Sequence, residues 1–244
     1  MPISLGDKNC IKMTGEEILN LGNKHVGETY ILGSQVAKND ESWKGPWDCA
    51  EFVTWIIFQI SGRLYGCNND LGNPAMADAY TGYWRNDAET EGKIITIEQA
   101  IRTTGAAILR IPAVGLSGHI VISDGKGGTV EAHSHIDGVI NSVVNGRRWD
   151  FGILVPWIDY SQQPAVKYVS PAYTIYRYTL PKMVGPKIGQ IQKALKAAGF
   201  DPHGIDNIFG AETLKAVEAF QQANDLLVDG EVGNETAKAL GINL

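Results

Sequence analysis

The sequence predicts an α+β fold followed by a small all-helical module, and three observations carry that prediction. Helical spacing dominates the first third of the chain, a period of two takes over between residues 106 and 155, and helical spacing returns after a proline-rich stretch at 160–187. With 244 residues there is room for two domains. Hydrophobic residues at 44% and charged residues at 20% describe a chain that packs a core and is not disordered.

The first expected helix covers 15–22, where Thr14 and Glu17 have capping-box spacing and Ile18, Leu19 and Leu21 are available for burial. A loop runs to Trp47. Asp48 is placed to cap a second helix reaching Ile60, apolar on nearly every face through Phe52, Val53, Trp55, Ile56, Ile57 and Phe58, and therefore expected inside the core. Residues 62–93 read as irregular with one short helix at 75–79, and 97–101 as a helical turn. Antiparallel strands are expected at 107–111, 119–123, 129–133, 138–144 and 149–155. An alternating run at 173–180, among Pro164, Pro171, Pro181 and Pro186, reads as a last strand and linker. Ile188, Ile191, Leu195 and Ala198 then open a three-helix bundle completed at 213–223 and 236–240. The expected division is 1–160, 161–185 and 186–244.

Charge narrows the function. The chain carries −6, with 16 basic against 19 acidic residues before residue 184 and 5 against 8 after it, so neither part is a basic nucleic-acid-binding module. No apolar run reaches the about 18–20 residues of a membrane span; the most apolar stretch, 52–60, is interrupted by Thr54 and Gln59. Residues 1–14 include Asp7 and Lys8 and lack the apolar segment of a secretory signal, so the expectation is a chain made in the cytoplasm without a signal peptide. Cys10, Cys49 and Cys67 are odd in number and contain no C-x-x-C pair, which suggests neither a disulfide framework nor a thiolate metal cluster.

Cys49 follows the capping Asp48, at the first turn of the buried helix, where unpaired N–H groups and the helix dipole favour a thiolate. By position alone it reads equally well as a small buried hydrophobe. The histidines decide the matter. His119 opens one strand, and Glu131 and His133 share a face of the next. A five-residue loop at 124–128 would set Ser123 opposite Thr129, Val121 opposite Glu131 and His119 opposite His133. A thiol at a helix start, an imidazole on a strand and a polar group beside it are the parts of a cysteine peptidase. The competing reading makes His119, His133 and His135 zinc ligands, without the helical H-E-x-x-H spacing.

Five blocks then resemble one family, the NlpC-like cell-wall cysteine peptidases with a papain-like fold, over about residues 14–157. They are Tyr30-Ile31-Leu32-Gly33-Ser34, Trp47-Asp48-Cys49-Ala50-Glu51-Phe52-Val53, Gly105-Ala106-Ala107-Ile108-Leu109, Gly118-His119-Ile120-Val121-Ile122 and Thr129-Val130-Glu131-Ala132. The resemblance implies Cys49 as nucleophile, His119 as base and Tyr30 as the family's tyrosine beside the cysteine. Where the family usually has a second histidine, an ungapped match places Glu131, while the hairpin register favours His133; both stay candidates, Glu131 first. Ala50 stands where the family usually has serine, and Gly33-Ser34 where it has Gly-Gly. Asp48, Arg148 and Trp149 are candidate substrate contacts, with Arg147-Arg148-Trp149 able to clamp a carboxylate or to be a solvated strand end.

Beyond the linker, Ile188-Gly189-Gln190-Ile191-Gln192, Gly199-Phe200-Asp201 and two related segments resemble the three-helix peptidoglycan-binding domain. The related segments are 205–213 and 228–236, an internal echo whose glycines suit turns and whose Thr213 and Thr236 suit helix starts. The two resemblances together imply a peptidoglycan hydrolase, a monomer with no cofactor and no metal. It would cut an amide bond of the stem peptide, between D-glutamate and the diamino acid or at the muramoyl amide. The expected setting is a phage or prophage endolysin, or a secreted antibacterial effector, acting on the wall after release or export. A bundle that only folds and dimerises, a non-catalytic wall binder, a metal-dependent amidase and an acyltransferase are the rival readings.

Overall fold

The computed structural model describes residues 13–112, 117–161, 174–224 and 226–244. Asp7, Lys8, Cys10, Pro164, Pro171 and Tyr173, all used above, lie outside the described residues. Thr14 accepts the Glu17 N–H while Glu17 accepts the Thr14 N–H, closing the expected capping box at the start of α1 (Gly15–Asn23). The next helix, α2 (Cys49–Ser61), begins at Asp48, which accepts the Ala50 N–H at 3.0 Å, and stops at Gly62, whose φ of +67° suits glycine. All nine residues from Cys49 to Ile57 are buried, as an almost wholly apolar helix requires.

Residues 62–93 are more regular than expected. α3 (Thr81–Thr90) and β1 (Lys93–Ile95) form there, and no helix forms at 75–79. α3 buries only Thr81, Trp84 and Ala88 beneath an otherwise polar surface, so its apolar stripe is too thin for periodicity to reveal.

After α4 (Ile97–Ile101) come β2 (Ala107–Arg110), β3 (His119–Ser123), β4 (Gly128–Ser134), β5 (Gly138–Val143) and β6 (Phe151–Leu154). The sheet order is β1-β6-β2-β3-β4-β5, with every neighbouring pair antiparallel. Side-chain alternation gives the sheet two apolar faces. Ala107, Leu109, Ile120, Ile122, Val130 and Ala132 join the core with α2, whereas Ile108 and Val121 join Ala100 and Ile101 of α4. Covering both faces buries β3 from end to end and fixes the position of His119 at its start.

α5 (Pro186–Ala197), α6 (Ala211–Ala223) and α7 (Asn234–Ala239) enclose a separate core of Ile188, Ile191, Leu195, Phe209, Val217, Phe220 and Val232. The chain is thus α+β with an all-helical C-terminal module, and the described residues hold seven helices. The strand expected at 173–180 does not join the sheet. In its described part Tyr176 exchanges backbone hydrogen bonds with Val232 and packs against the helical core, so its alternation serves the module.

The internal echo becomes one turn built twice. Gln192 Nε2 donates to Asp206 Oδ1, Ile208 O and Thr213 Oγ1; Gln221 Nε2 donates to Asp229 Oδ1, Glu231 O and Thr236 Oγ1. Each glutamine is buried, so the cage satisfies an amide that would otherwise be costly to desolvate. Thr213 and Thr236 do not cap their helices; Gly210 and Gly233 hold those positions, and the two hydroxyls complete the cages. No helix among the described residues is long and apolar enough to cross a membrane.

Candidate active site

Cys49 is 5% exposed. The backbone N–H groups of Ala50, at the helix start, and of Ile120, the residue after His119, lie near enough to favour its charged form. Burial nevertheless pushes the thiol well above its ordinary range, the Asp48 carboxylate adds to this, and Ile120, Ala50 and Arg110 pull the other way. The helix start is present as expected, but desolvation by the surrounding core outweighs its pull on the thiol. Cys67 is a structural contrast: its thiol donates to Asp70 Oδ1 at 3.1 Å and is pushed up to about 12 by burial.

His119 is 3% exposed, and its Nε2 lies 2.7 Å from Oε2 of the fully buried Glu131. Arg147 binds Glu131 through both ends, Nη1 to Oε2 at 2.6 Å and Nη2 to Oε1 at 2.7 Å, and the Thr129 hydroxyl donates to Oε1. Burial by itself would raise the Glu131 carboxyl; Arg147 and His119 outweigh it and hold the group well below the usual carboxylate range. For His119, burial lowers the imidazole pKa and the Glu131 contact opposes the shift without cancelling it. Trp149 stacks on His119 at 5.9 Å and 29°, and the Arg147 guanidinium covers the same indole at 4.9 Å.

The hairpin pairs Ser123 with Thr129 and Ile122 with Val130, the expected register. His133 comes within 6.3 Å of the His119 ring, but the β4–β5 ladder shifts between Ala132 and Ser134. His133 Nδ1 meets Asp137 at 3.0 Å and its Nε2 faces Glu235 at 3.5 Å. Of the two candidates, it is Glu131 whose carboxylate meets the His119 ring.

Half-buried Tyr30 packs on the main core close enough to Cys49 and Asp48 for their charges to add to burial in raising its phenol. Asp48 Oδ2 accepts the Gly33 N–H at 3.0 Å, so this carboxylate fastens the Tyr30 loop to the helix that carries Cys49. The sequence leaves Arg147, Arg148 and Trp149 as either a carboxylate clamp or a solvated strand end; in the structure the three side chains part. Arg147 turns inward to Glu131, Trp149 covers His119 and donates to Val144 O, and Arg148 meets Asp150 at 2.6 Å and Glu231 at 3.1 Å. Arg148 and Trp149 are therefore already engaged by protein groups. Among the described residues no three His, Cys, Asp or Glu side chains are grouped to hold a metal ion, and His135 is exposed.

Motif reading misses Arg110 altogether and misses the inward role of Arg147. A carboxylate placed on a buried strand demands a cation, and that demand is the signal that leads to Arg147. Arg110 ends β2 directly opposite His119 in the β2–β3 register, is 1% exposed, and donates to Asp229 Oδ2 of the C-terminal module at 2.7 Å. Nearby, Glu235 faces Arg147 Nε at 3.5 Å, and the Asn234 N–H donates to Gly146 O. A Cβ on Gly233 would come within 1.7 Å of that carbonyl oxygen, so this backbone approach requires glycine.

Residues 184–240 match the family model described as "Putative peptidoglycan binding domain". The N-acetylmuramoyl-L-alanine amidase CwlL of Bacillus licheniformis is 39% identical over 72 residues, 27% of this chain and 20% of that protein. The chain thus spans 20% of the length of this relative. Among solved structures, the NlpC/p60 domain of the peptidoglycan hydrolase SagA shares 20% identity over 58% of this chain and 99% of that one, with a TM-score of 0.41. The P60 domain of an antigen from M. avium subspecies paratuberculosis shares 20% over 59% and 94%, with a TM-score of 0.41. The peptidoglycan hydrolase RipB from Mycobacterium tuberculosis shares 18% over 60% and 65%, also with a TM-score of 0.41.

Proposed function

We propose that the chain is a peptidoglycan hydrolase that cuts an amide bond of the stem peptide by acyl transfer through Cys49. The observation that carries this reading is the His119 Nε2–Glu131 contact at 2.7 Å, locked by Arg147, on a strand whose next residue, Ile120, has its backbone near Cys49. Glu131 accepts a hydrogen bond from the Nε2–H and leaves the other ring nitrogen to take the thiol proton as sulfur attacks the carbonyl carbon. Backbone N–H groups near Cys49, its own included, receive the developing oxyanion. His119 then returns the proton to the departing amine, and water, activated by the same imidazole, hydrolyses the thioester. Tyr30 and Asp48 line the approach.

The match at 184–240 supports the wall polymer as the substrate, because a tethered binder raises the local concentration of enzyme on an insoluble target. The finer reading is an endopeptidase of an endolysin, cutting between D-glutamate and the diamino acid. The amidase relative favours a second one, the muramoyl–L-alanine bond. Digestion of purified peptidoglycan followed by mass spectrometry of the soluble fragments tests all of this. New amine ends on the diamino acid are expected, blocked by prolonged iodoacetamide treatment and untouched by EDTA. Free lactyl groups would identify the amidase instead, and loss of release in EDTA alone would overturn the cysteine mechanism.

Glu131→Gln is expected to lower kcat by about 10²–10⁴-fold, because the amide no longer stabilises the imidazolium. Since burial holds His119 below its ordinary 6.5, the acid limb of kcat/KM falls below pH 6.5 in the wild type. Removing the carboxylate that favours the protonated ring moves this limb further down. A pH–rate profile checks the sign, and a limb that rises or stays put would exclude Glu131 as the partner of His119.

A further inference from the structure

We propose that Arg110 is a carboxylate-binding residue of the substrate groove, and that Asp229 of the C-terminal module fills its site as an internal stand-in. This rests on the peptidase reading, since a γ-linked glutamate in the stem keeps its α-carboxylate free.

Arg110 is an incomplete ion pair. Its guanidinium is buried and carries five donors in a planar fork, yet Asp229 takes only Nη1; among the described residues Nε and Nη2 have no partner. Leaving such donors unmet is costly in a buried position, and a second acceptor oxygen arriving in the plane would relieve that cost. The neighbouring charges on its own side are Arg147 and Arg148, and the carboxylates that favour its charge, Asp229 and Glu231, both come from the module. Arg147 is compensated by Glu131, but Arg110 depends on what is brought to it. Its position opposite His119 in the strand register places this anion site at the proposed catalytic base.

The duplicated turn shows that the module does not need the contact. In both copies the glutamine cage engages Oδ1 of the aspartate, Asp206 or Asp229. Asp229 Oδ2, which meets Arg110, is therefore surplus to the turn, and the first copy folds around Asp206 in an exposed position. A contact made by a surplus oxygen is exchangeable with another carboxylate once the module edge moves aside.

The test measures binding of the tripeptide L-Ala-γ-D-Glu-L-Lys, and of its analogue with the α-carboxylate amidated, to the full-length chain carrying Cys49→Ala. Asp229→Asn retains the Oδ1 acceptor and removes the competing charge, so it is expected to tighten tripeptide binding. Arg110→Gln is expected to weaken binding roughly tenfold or more, with Asp229 intact or replaced, which is the scale of one charge-assisted hydrogen bond. The amidated analogue is expected to be indifferent to Arg110→Gln. If Arg110 merely fastens the module, Arg110→Gln will tighten binding as Asp229→Asn does, and the proposal falls. Equal dependence of both peptides on Arg110 also overturns it. Arg110-dependent binding with no turnover by the wild type would sink the peptidase reading and leave the anion site standing.

Discussion

Cys49→Ala is expected to remove peptidoglycan cleavage by at least about 10³-fold while leaving the fold and wall binding intact. The sulfur is held in a buried niche, and deleting it removes one small group from a well-packed helix start, at a cost of only about 1 kcal/mol. Dye release from labelled walls, co-sedimentation with the same walls and thermal unfolding separate the three properties. Retained cleavage would return the chemistry to another residue; lost wall binding would show that the substitution had damaged more than the nucleophile.

Arg147→Met is expected to have the largest effect on stability, about 3–5 kcal/mol, because it strands Glu131 as a buried charge. The pH dependence distinguishes this from simple loss of packing. In the wild type the Glu131 pKa is depressed by Arg147, so the stability it contributes is present above the ordinary 4.5 and is lost as pH falls through the lower folded-state value. Without Arg147 that depression disappears and burial drives the carboxyl upward, so the variant is penalised most near neutrality and recovers as Glu131 takes up a proton. The gap between wild type and variant, measured by denaturant unfolding, should therefore shrink on acidification. A gap independent of pH would mean that Arg147 contributes packing and not charge.

Much of this arrangement is legible in the chain because it depends on local rules. The cap at Thr14, the apolar α2 and the alternation of β2, β3 and β4 are set by spacing, and a cysteine just after Asp48 must begin a helix if α2 exists at all. What stays hidden depends on contacts far apart in sequence. α3 shows too few apolar residues to announce itself, and its burial relies on Trp84 meeting Thr54, thirty positions earlier. The choice between Glu131 and His133 hangs on the shift in the β4–β5 ladder at Ala132 and on Arg147 turning inward. The upward push on the Cys49 thiol stays hidden for the same reason, since desolvation by the surrounding core is invisible to a reading of the helix start alone.

The twice-built turn of the C-terminal module also bears on the order in which the chain becomes native. Its glutamine cages are closed by partners only 8 to 21 residues apart, whereas the sheet must bring Lys93 to Leu154 before β1 and β6 can pair. Contacts of short sequence separation form early because little loop entropy opposes them. The C-terminal module is thus expected to fold first, while the sheet that carries His119 and Glu131 is still assembling.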